Sequence, residues 1–299
     1  MKRLKKKIRR IIIGFLLKNR SKSGYYAIDI NSTGIGLGAR IVNVLEILLF
    51  CDTKGLFPLI KFNYKEKNNT KDYFKELFYY KNELPDDGSK IKYTAIYDTS
   101  DLDWKDFDKK LRLDMAKGLF AKYFGFNQNI VEEVDAYVNQ WFTGKQVLGI
   151  HYRGTDKSTE SKEVSFEELL NAVRKLLAEN PALDLIFMSS DDVNVIHFLM
   201  NSNLSIPVIC REDAVRSETG DQFHLKQEIS KTTINRDAIV NCLILSRCNH
   251  LLKTASLLSD CSVIFNPDLK VSVINAPYEH VTWWPTSEIN AYSLLNKNT

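Results

Sequence analysis

Apolar residues along the chain alternate between strand-like runs and helix-like periodicity. Near the start, Tyr25–Ile30 is predicted as a strand, Gly34–Gly38 as a glycine-rich turn, and 39–52 as a helix that leads to a strand over 56–62. This order makes one βαβ unit. The next segment, 63–90, is charged and rich in aromatic residues, and we interpret it as a surface insertion.

The rest of the chain continues as helices and strands in turn. Helices are predicted over 70–78, 115–124, 130–142, 166–177, 193–199 and 236–248, and strands over 91–98, 146–152, 184–188, 206–210, 251–253, 263–265 and 271–274. The strand 146–152 is a continuous apolar run, as a buried parallel strand requires. Alternation of this kind indicates an α/β fold with a doubly wound sheet, whose ligands bind at the carboxyl ends of its strands.

The length of the chain favours two domains, because 299 residues exceed what one hydrophobic core usually serves. We therefore predict two Rossmann-like domains, 25–145 and 146–299, behind a basic arm of residues 1–24. The five cysteines are scattered, without the paired spacing of zinc sites or disulfide frameworks. They indicate small core residues in a reducing compartment.

The positive charge of the chain is concentrated in the arm. The formal net charge is +4, and the Lys and Arg residues that cluster before residue 11 leave the remainder near neutral. This distribution argues against a nucleic-acid-binding body. The apolar stretch Ile11–Leu17 is too short to span a bilayer, which takes about 20 residues. We predict that residues 1–20 lie on an anionic membrane surface, with a disordered tail as the alternative, and either interpretation leaves the body in the cytoplasm.

The segment His151–Glu160 concentrates ionisable side chains at the end of a predicted buried strand. It carries an imidazole, a guanidinium, an ammonium and two carboxylates, which core packing does not require. Arg153 offers the planar fork of donors that suits bidentate phosphate binding, and we predict it as a phosphate ligand. The alternative is that Arg153 pairs with Asp156 and only fixes the loop.

Polar residues also follow two other predicted strands. Ser190–Asp192 either caps the next helix or binds a ribose, a base or a metal, and capping is the simpler interpretation. Thr254–Ser256 precedes a helix whose first N–H groups favour a phosphate, with an ordinary serine cap as the alternative. The glycine-rich turn matches neither the dinucleotide motif nor the P-loop motif. It offers either a backbone open to a ligand or a tight turn for packing.

Taken together, His151–Lys157 and Glu160 resemble the phosphate-binding loop of α-1,6-fucosyltransferases, a family that includes core-fucosylating and rhizobial nodulation enzymes. The similarity continues through Ser190–Asp192 and 245–256, and more loosely through Gly34–Asn43. It implies a GT-B fold of two Rossmann-like domains facing a central cleft. It also implies GDP-fucose as donor, inversion at the anomeric carbon, no metal or other cofactor, and a free or lipid-linked glycan as acceptor.

The resemblance further implies roles for single residues. Arg153 would hold the β-phosphate and stabilise the departing GDP, and Glu160 would be the catalytic base. The donor-binding residues would be His151, Asp156, Lys157, Ser190, Asp191, Asp192, Asp237, Asn241, Thr254, Ser256, Gly36, Gly38, Arg40 and Asn43.

Three positions depart from the family pattern. Gly154 replaces a second arginine, Asn241 stands where an aspartate contacts guanine, and Leu257–Leu258 replaces polar residues. An amide accepts from one guanine N–H group where a carboxylate accepts from two, although Asp237 lies one helical turn earlier. The alternatives are therefore a transferase that uses another nucleotide sugar, or a non-catalytic, membrane-attached glycan-binding protein with a decayed site.

Aromatic residues are concentrated near the C-terminus, at Tyr278, Trp283 and Trp284. They either pack the C-terminal segment or stack on a sugar ring, and packing is the favoured interpretation.

Overall fold

The computed structural model describes residues 24–31, 35–66, 69–84, 93–96, 110–153, 160–217, 230–281 and 284–293. The chain divides into two compact units, with the division between Asn127 and Gln128. The helix predicted over 130–142, assigned from the sequence to the first domain, therefore belongs to the second unit. Within the described ranges, no helix is long and apolar enough to cross a membrane. The predicted membrane-surface segment 1–20 lies outside these ranges.

The first unit is built on a short parallel sheet. Its elements are β1 (Tyr25–Ile30), α1 (Leu37–Lys54), β2 (Phe57–Lys61), β3 (Asn63–Glu66), β4 (Asn69–Asp72), α2 (Phe74–Leu77), β5 (Phe78–Tyr80), β6 (Thr94–Ile96), α3 (Leu113–Tyr123) and β7 (Phe124–Phe126). The parallel strands lie in the order β2–β1–β6. α1 begins after Gly36 and ends at Gly55, whose φ of 64° is the left-handed conformation that closes a helix.

The interpretation of 63–90 as a surface insertion agrees with Tyr79, which is 49% exposed, and is wrong for the buried aromatic residues of the segment. Phe74 and Phe78 are fully buried, and the ring of Phe74 lies 4.8 Å from that of Phe124. The predicted helix 70–78 is only the four residues of α2, because β4 precedes it and β5 follows it. Charged residues precede, separate and follow these aromatic residues in the chain, and the buried rings form a core of their own.

The second unit is a five-stranded parallel sheet with helices. Its elements are α4 (Gln128–Trp141), β8 (Val147–Tyr152), α5 (Phe166–Glu179), β9 (Leu185–Ser190), α6 (Val193–Met200), β10 (Val208–Ile209), α7 (Lys231–Ser246), β11 (His250–Lys253), α8 (Leu257–Phe265), β12 (Lys270–Val273), a 3₁₀ turn (Glu279–Val281) and α9 (Thr286–Tyr292). The strand order is β10–β9–β8–β11–β12, and every neighbouring pair is parallel. The predicted doubly wound α/β fold is confirmed. The strand predicted over 263–265 is wrong, since these apolar residues end α8.

Packing on both faces of the second sheet fixes the strand ends. On one face, Leu148 and Ile150 join an apolar core with Leu169 of α5. On the other face, the end of α7 and the turn after it approach so closely that a Cβ on Gly149 would lie 2.8 Å from the Sγ atom of Cys248. The strand therefore requires glycine at this position, and the polar residues that follow β8 project from a rigid frame.

Candidate functional site

The carboxyl ends of β8 and β11 lie side by side at the point where the strand order reverses. His151 pairs with Lys253 across the two strands. The backbone N–H of Thr254 donates to the carbonyl of His151 at 3.0 Å, and the N–H of Arg153 donates to the Thr254 hydroxyl at 2.9 Å. In open α/β sheets, ligands bind in the crevice at such a reversal. The structure thus joins two of the three segments that the sequence predicted.

The helix α8 starts at this same point. Ser256 occupies the position before its first residue, and within the described chain the Ser256 hydroxyl makes no capping hydrogen bond. The serine-cap alternative is therefore wrong for Ser256, which is 5% exposed. The first N–H groups of α8 and its positive dipole end lie beside Thr254, an arrangement that favours an anion.

A buried ion pair lies directly behind this turn. The Lys253 ammonium contacts the Asp260 carboxylate at 2.5 Å, and both side chains are fully buried. The second oxygen of Asp260 accepts from the Thr286 hydroxyl at 2.5 Å. The pair ties the end of β11 to α8 and to α9, so it fixes the turn between β11 and α8. Sequence reasoning gave no role to Lys253 or Asp260.

His151 is a neutral imidazole in this setting. It is 5% exposed, and its Nδ1 atom has no hydrogen-bond partner among the described residues. Burial, with the nearby charges of Lys253 and Arg153, lowers the pKa of His151 to about 3. A buried polar atom without a partner is costly, so a bound ligand or a water molecule would stabilise it.

The end of β9 supplies the third predicted segment. Ser190 pairs with Tyr152 of β8, which places it at the same edge as Arg153. Asp192 caps α6, since its Oδ1 atom accepts from the N–H of Asn194 at 2.8 Å. The simpler interpretation is therefore confirmed for Asp192. Asp191 is half-buried, and its carbonyl accepts from the N–H of Ser217 at 2.8 Å.

Asp237 and Asn241, predicted on the nucleotide side, both contact Arg211. The Arg211 guanidinium is 3% exposed and lies 3.5 Å from Asp237 and 3.4 Å from the Asn241 carbonyl oxygen. It also contacts Glu133 of α4 at 2.6 Å. Burial raises the pKa of Asp237, although the N–H of Val215 and the charge of Arg211 act in the opposite direction. Sequence reasoning missed Arg211, a polar residue that directly follows a predicted strand.

Glu160 belongs to a chain segment that is paired with the residues after β12. Its side chain is exposed, and its carbonyl accepts from the N–H of Tyr278 at 2.8 Å. Asn275 bridges this segment to the turn after β11, because its carbonyl oxygen accepts from the N–H of Ala255 at 2.8 Å and its amide donates to the Lys162 carbonyl at 2.6 Å. Asn275 was also missed, although it too directly follows a predicted strand.

The predicted residues of the glycine-rich turn belong to the first unit. Gly36 precedes α1 and Gly38 lies in its first turn. Arg40 and Asn43 are buried, at 5% and 4% exposure. The Arg40 guanidinium donates to the Ile30 carbonyl and lies 5.5 Å from the centre of the Phe62 ring, so the side chain is used for packing.

Three other predictions fall partly or wholly outside the described residues. Asp156 and Lys157 lie there, and so does Gly154. Of the C-terminal aromatic residues, Trp283 also lies outside. Trp284 is 8% exposed and packs as predicted, whereas Tyr278 is 42% exposed and its ring lies parallel to that of His280.

The fold is similar to those of solved fucosyltransferases. Fucosyltransferase NodZ from Bradyrhizobium matches 79% of this chain and 92% of its own with a TM-score of 0.53 and 14% identity. FUT1 from Arabidopsis thaliana, in complex with GDP, matches 90% of this chain and 76% of its own with a TM-score of 0.52 and 12% identity. POFUT1 in complex with GDP matches 83% of this chain and 98% of its own with a TM-score of 0.50 and 10% identity.

No protein-family model and no curated protein sequence matches the chain. At 10% to 14% identity the likeness concerns the fold. The chain therefore has the α/β fold of GT-B fucosyltransferases, with a polar edge at the strand reversal of its second unit.

Proposed function

We propose that this protein is an inverting glycosyltransferase that moves a sugar, fucose, from a GDP-activated donor to a hydroxyl of a glycan. The observation that carries the proposal is the polar edge where β8 and β11 end together. Arg153, Thr254 and the start of α8 converge there, in a fold similar to that of proteins solved with GDP or GDP-fucose. Cationic and N–H donors on a rigid edge suit a diphosphate.

In the proposed reaction, Arg153 acts on the leaving group. The bond between the anomeric carbon and the β-phosphate oxygen breaks, and negative charge develops on the diphosphate. The Arg153 guanidinium and the N–H groups at the start of α8 stabilise this charge without reorganising, because Thr254 and the buried pair behind it fix the turn. The acceptor hydroxyl attacks from the opposite face of the sugar, which inverts the anomeric carbon.

Glu160 is proposed as the base that takes the proton of the acceptor hydroxyl. Its side chain is exposed, and its backbone is held by Tyr278 next to the turn that Asn275 anchors. The contribution of the base is expected to be smaller than that of Arg153, because a dissociating leaving group needs stabilisation more than the nucleophile needs deprotonation. A pH–rate profile identical in Glu160→Gln would remove this role.

A nucleotide panel tests the donor. A ligand that binds only the native state raises the melting temperature, so GDP is expected to raise it more than UDP, CMP or TDP at equal concentration. A wild-type protein that none of the four nucleotides stabilises would contradict the proposal and favour the non-catalytic alternative. Turnover with GDP-fucose is expected to survive EDTA, since no step uses a metal.

A second candidate is the same reaction with another nucleotide sugar. The favouring observation is that Arg211 contacts both Asp237 and the carbonyl oxygen of Asn241, the groups expected to accept from guanine. In that case UDP, CMP or TDP would give the largest thermal shift in the panel.

The basic arm is proposed to hold the protein on the inner face of a cytoplasmic membrane, near a lipid-linked acceptor. Co-sedimentation with vesicles that contain anionic lipid is expected for the full chain and not after removal of residues 1–20. Binding should weaken as salt rises, because the attraction is electrostatic.

A further inference from the structure

We propose that Tyr278 and Glu160 form a subsite for a pyranose ring of the acceptor glycan. The subsite rests on the proposed function, since it assigns the acceptor side of that same transfer. It is built from an exposed aromatic ring, a carboxylate beside it, and an anchored loop that holds both near the edge where β8 and β11 end.

The aromatic ring is presented as a flat surface. Tyr278 is 42% exposed, and its ring lies parallel to that of His280, with 4° between the planes and 6.0 Å between the centroids. Stacking on His280 fixes the orientation of the Tyr278 ring. A large aromatic residue that is kept exposed and oriented is a contact surface for a ligand with an apolar face.

The carboxylate is held beside the ring by backbone pairing. The N–H of Tyr278 donates to the carbonyl of Glu160 at 2.8 Å, and the next residues, Ser161 and Pro277, form an antiparallel bridge. The two side chains therefore stand on two adjacent strands of chain, with their backbones in direct contact. Directly opposed residues of an antiparallel pair have Cβ atoms about 5 Å apart on one face, so we place the carboxylate within reach of a ligand on the ring.

Asn275 connects Tyr278 and Glu160 to the turn between β11 and α8. Its side chain bonds to the N–H of Ala255 at 2.8 Å, to the Ser161 hydroxyl at 3.2 Å and to the Lys162 carbonyl at 2.6 Å. Asn275 and Tyr278 are three positions apart, which keeps their Cα atoms within about 11 Å of each other. The backbone of Tyr278 is therefore close to a residue whose side chain contacts the turn between β11 and α8.

This combination fits the chemistry of a pyranose. One face of such a ring presents C–H groups, which pack on an aromatic surface, and its rim presents hydroxyl groups, which donate to a carboxylate. A hydroxyl at the rim is also the group that the proposed reaction glycosylates. The subsite thus places an acceptor ring beside the base. It is formed by residues that follow β12, the outer strand next to β11.

Saturation-transfer NMR tests the subsite without any nucleotide. The probes are the methyl β-glycosides of glucose, galactose, mannose and N-acetylglucosamine, each at millimolar concentration, with guanosine as an aromatic nucleoside probe that contains no pyranose. We expect saturation of the ring protons of at least one glycoside in the wild-type protein. Tyr278→Phe should retain it, whereas Tyr278→Ala should weaken binding about tenfold or more through loss of the ring contact.

Tyr292→Ala is the matched control. Tyr292 is 60% exposed in the same unit and takes no part in the pairing with Glu160, so its loss should leave the saturation unchanged. The proposal is overturned if no glycoside is saturated, if only guanosine is, or if Tyr278→Ala binds as the wild type does. Failure here with normal GDP binding would remove the subsite alone, whereas absence of nucleotide binding with normal glycoside saturation would remove the donor site alone.

Discussion

The two units place an arginine after their first strand in opposite ways. In the first unit, Arg40 is turned into the protein, where its guanidinium donates to the Ile30 carbonyl and packs on Phe62. In the second unit, Arg153 directly follows β8, is only partly buried, and is positioned through its backbone by Thr254. Both arginines were predicted as donor ligands, and their surroundings separate them. The Arg40 guanidinium contacts the scaffold, whereas Arg153 lies partly exposed at a strand end, where ligands bind in sheets of this kind.

Arg211, like Arg40, is a buried arginine that contacts other parts of the protein, and its replacement is expected to lower stability most. Arg211→Met leaves the buried carboxylate of Asp237 and that of Glu133 without this cation, and should lower the free energy of unfolding by about 3 to 5 kcal/mol. Urea denaturation measures this. The control is Arg247→Met, which removes an exposed ion pair with Asp135 and should cost about 1 kcal/mol or less. If both variants lost the same free energy of unfolding, the buried ion pairs of Arg211 would stabilise the protein no more than an exposed pair does.

Arg40→Met should lower the free energy of unfolding by about 2 to 3 kcal/mol, because a buried charged hydrogen bond is lost. Arg153→Ala should lower it by less than Arg40→Met does, because Arg153 is only partly buried. Denaturation of both variants without nucleotide checks the contrast between the units. A larger loss of unfolding free energy in Arg153→Ala than in Arg40→Met would contradict this difference between the two arginines.

Replacing a glycine by alanine should also affect stability differently in the two units. Gly149→Ala places a Cβ 2.8 Å from Cys248 and should cost about 2 kcal/mol through overpacking. Gly36→Ala should be nearly neutral for stability, since a Cβ there meets no described atom within 4 Å and φ is −74°. Melting temperatures compare the two. A Gly36→Ala variant that is as unstable as Gly149→Ala would show that the glycine-rich turn is required for packing.

The burial of His151 predicts that the stability of the second unit depends on pH. All five histidines lie in this unit, because none precedes residue 128. Burial first, and then Lys253 and Arg153, lower its folded pKa to about 3, below the ordinary value of 6.5. Between these values the unfolded chain binds a proton that the folded chain does not. Stability is therefore full above pH 6.5 and falls as the pH drops toward 3, by up to about 1.4 kcal/mol per pH unit.

Denaturation of His151→Asn at pH 7, 6, 5 and 4 checks the assignment. The decline should be shallower than in the wild type by up to about 1.4 kcal/mol per pH unit. His250, whose pKa is lowered to about 4 by burial and by Lys270, remains in both proteins and contributes to the residual slope. Parallel curves would show that His151 is protonated in the folded state.

Periodicity predicted most elements of the second unit and the first βαβ unit of the chain, and it missed the short aromatic elements of the first unit. Strands such as Val147–Tyr152 are buried on both faces, so their apolar runs are unambiguous. The strand predicted at 263–265 failed because an apolar run at the end of a buried helix has the same composition as a short strand. In the first unit, the aromatic core around Phe74 is assembled from separate short elements, and no single window of the sequence contains its pattern.

The candidate site could be predicted where polar residues come directly after a predicted strand. That rule found Arg153, Ser190 and Thr254, which the strand register brings to one edge. The same rule applies to Arg211 and Asn275, whose roles depend on partners far along the chain, namely Glu133 and Ala255. Sequence spacing carries no information on such partners, so the scaffold beneath the site could only be seen in the structure.

The central claim is that Arg153 binds the diphosphate of the donor. Isothermal titration with GDP measures it directly, with circular dichroism to show that the variants are folded. The account predicts that the wild type binds GDP and that Arg153→Ala binds it at least about tenfold more weakly, a loss of about 1.4 kcal/mol or more. Equal affinity of the wild type and a folded Arg153→Ala variant for GDP would contradict the claim.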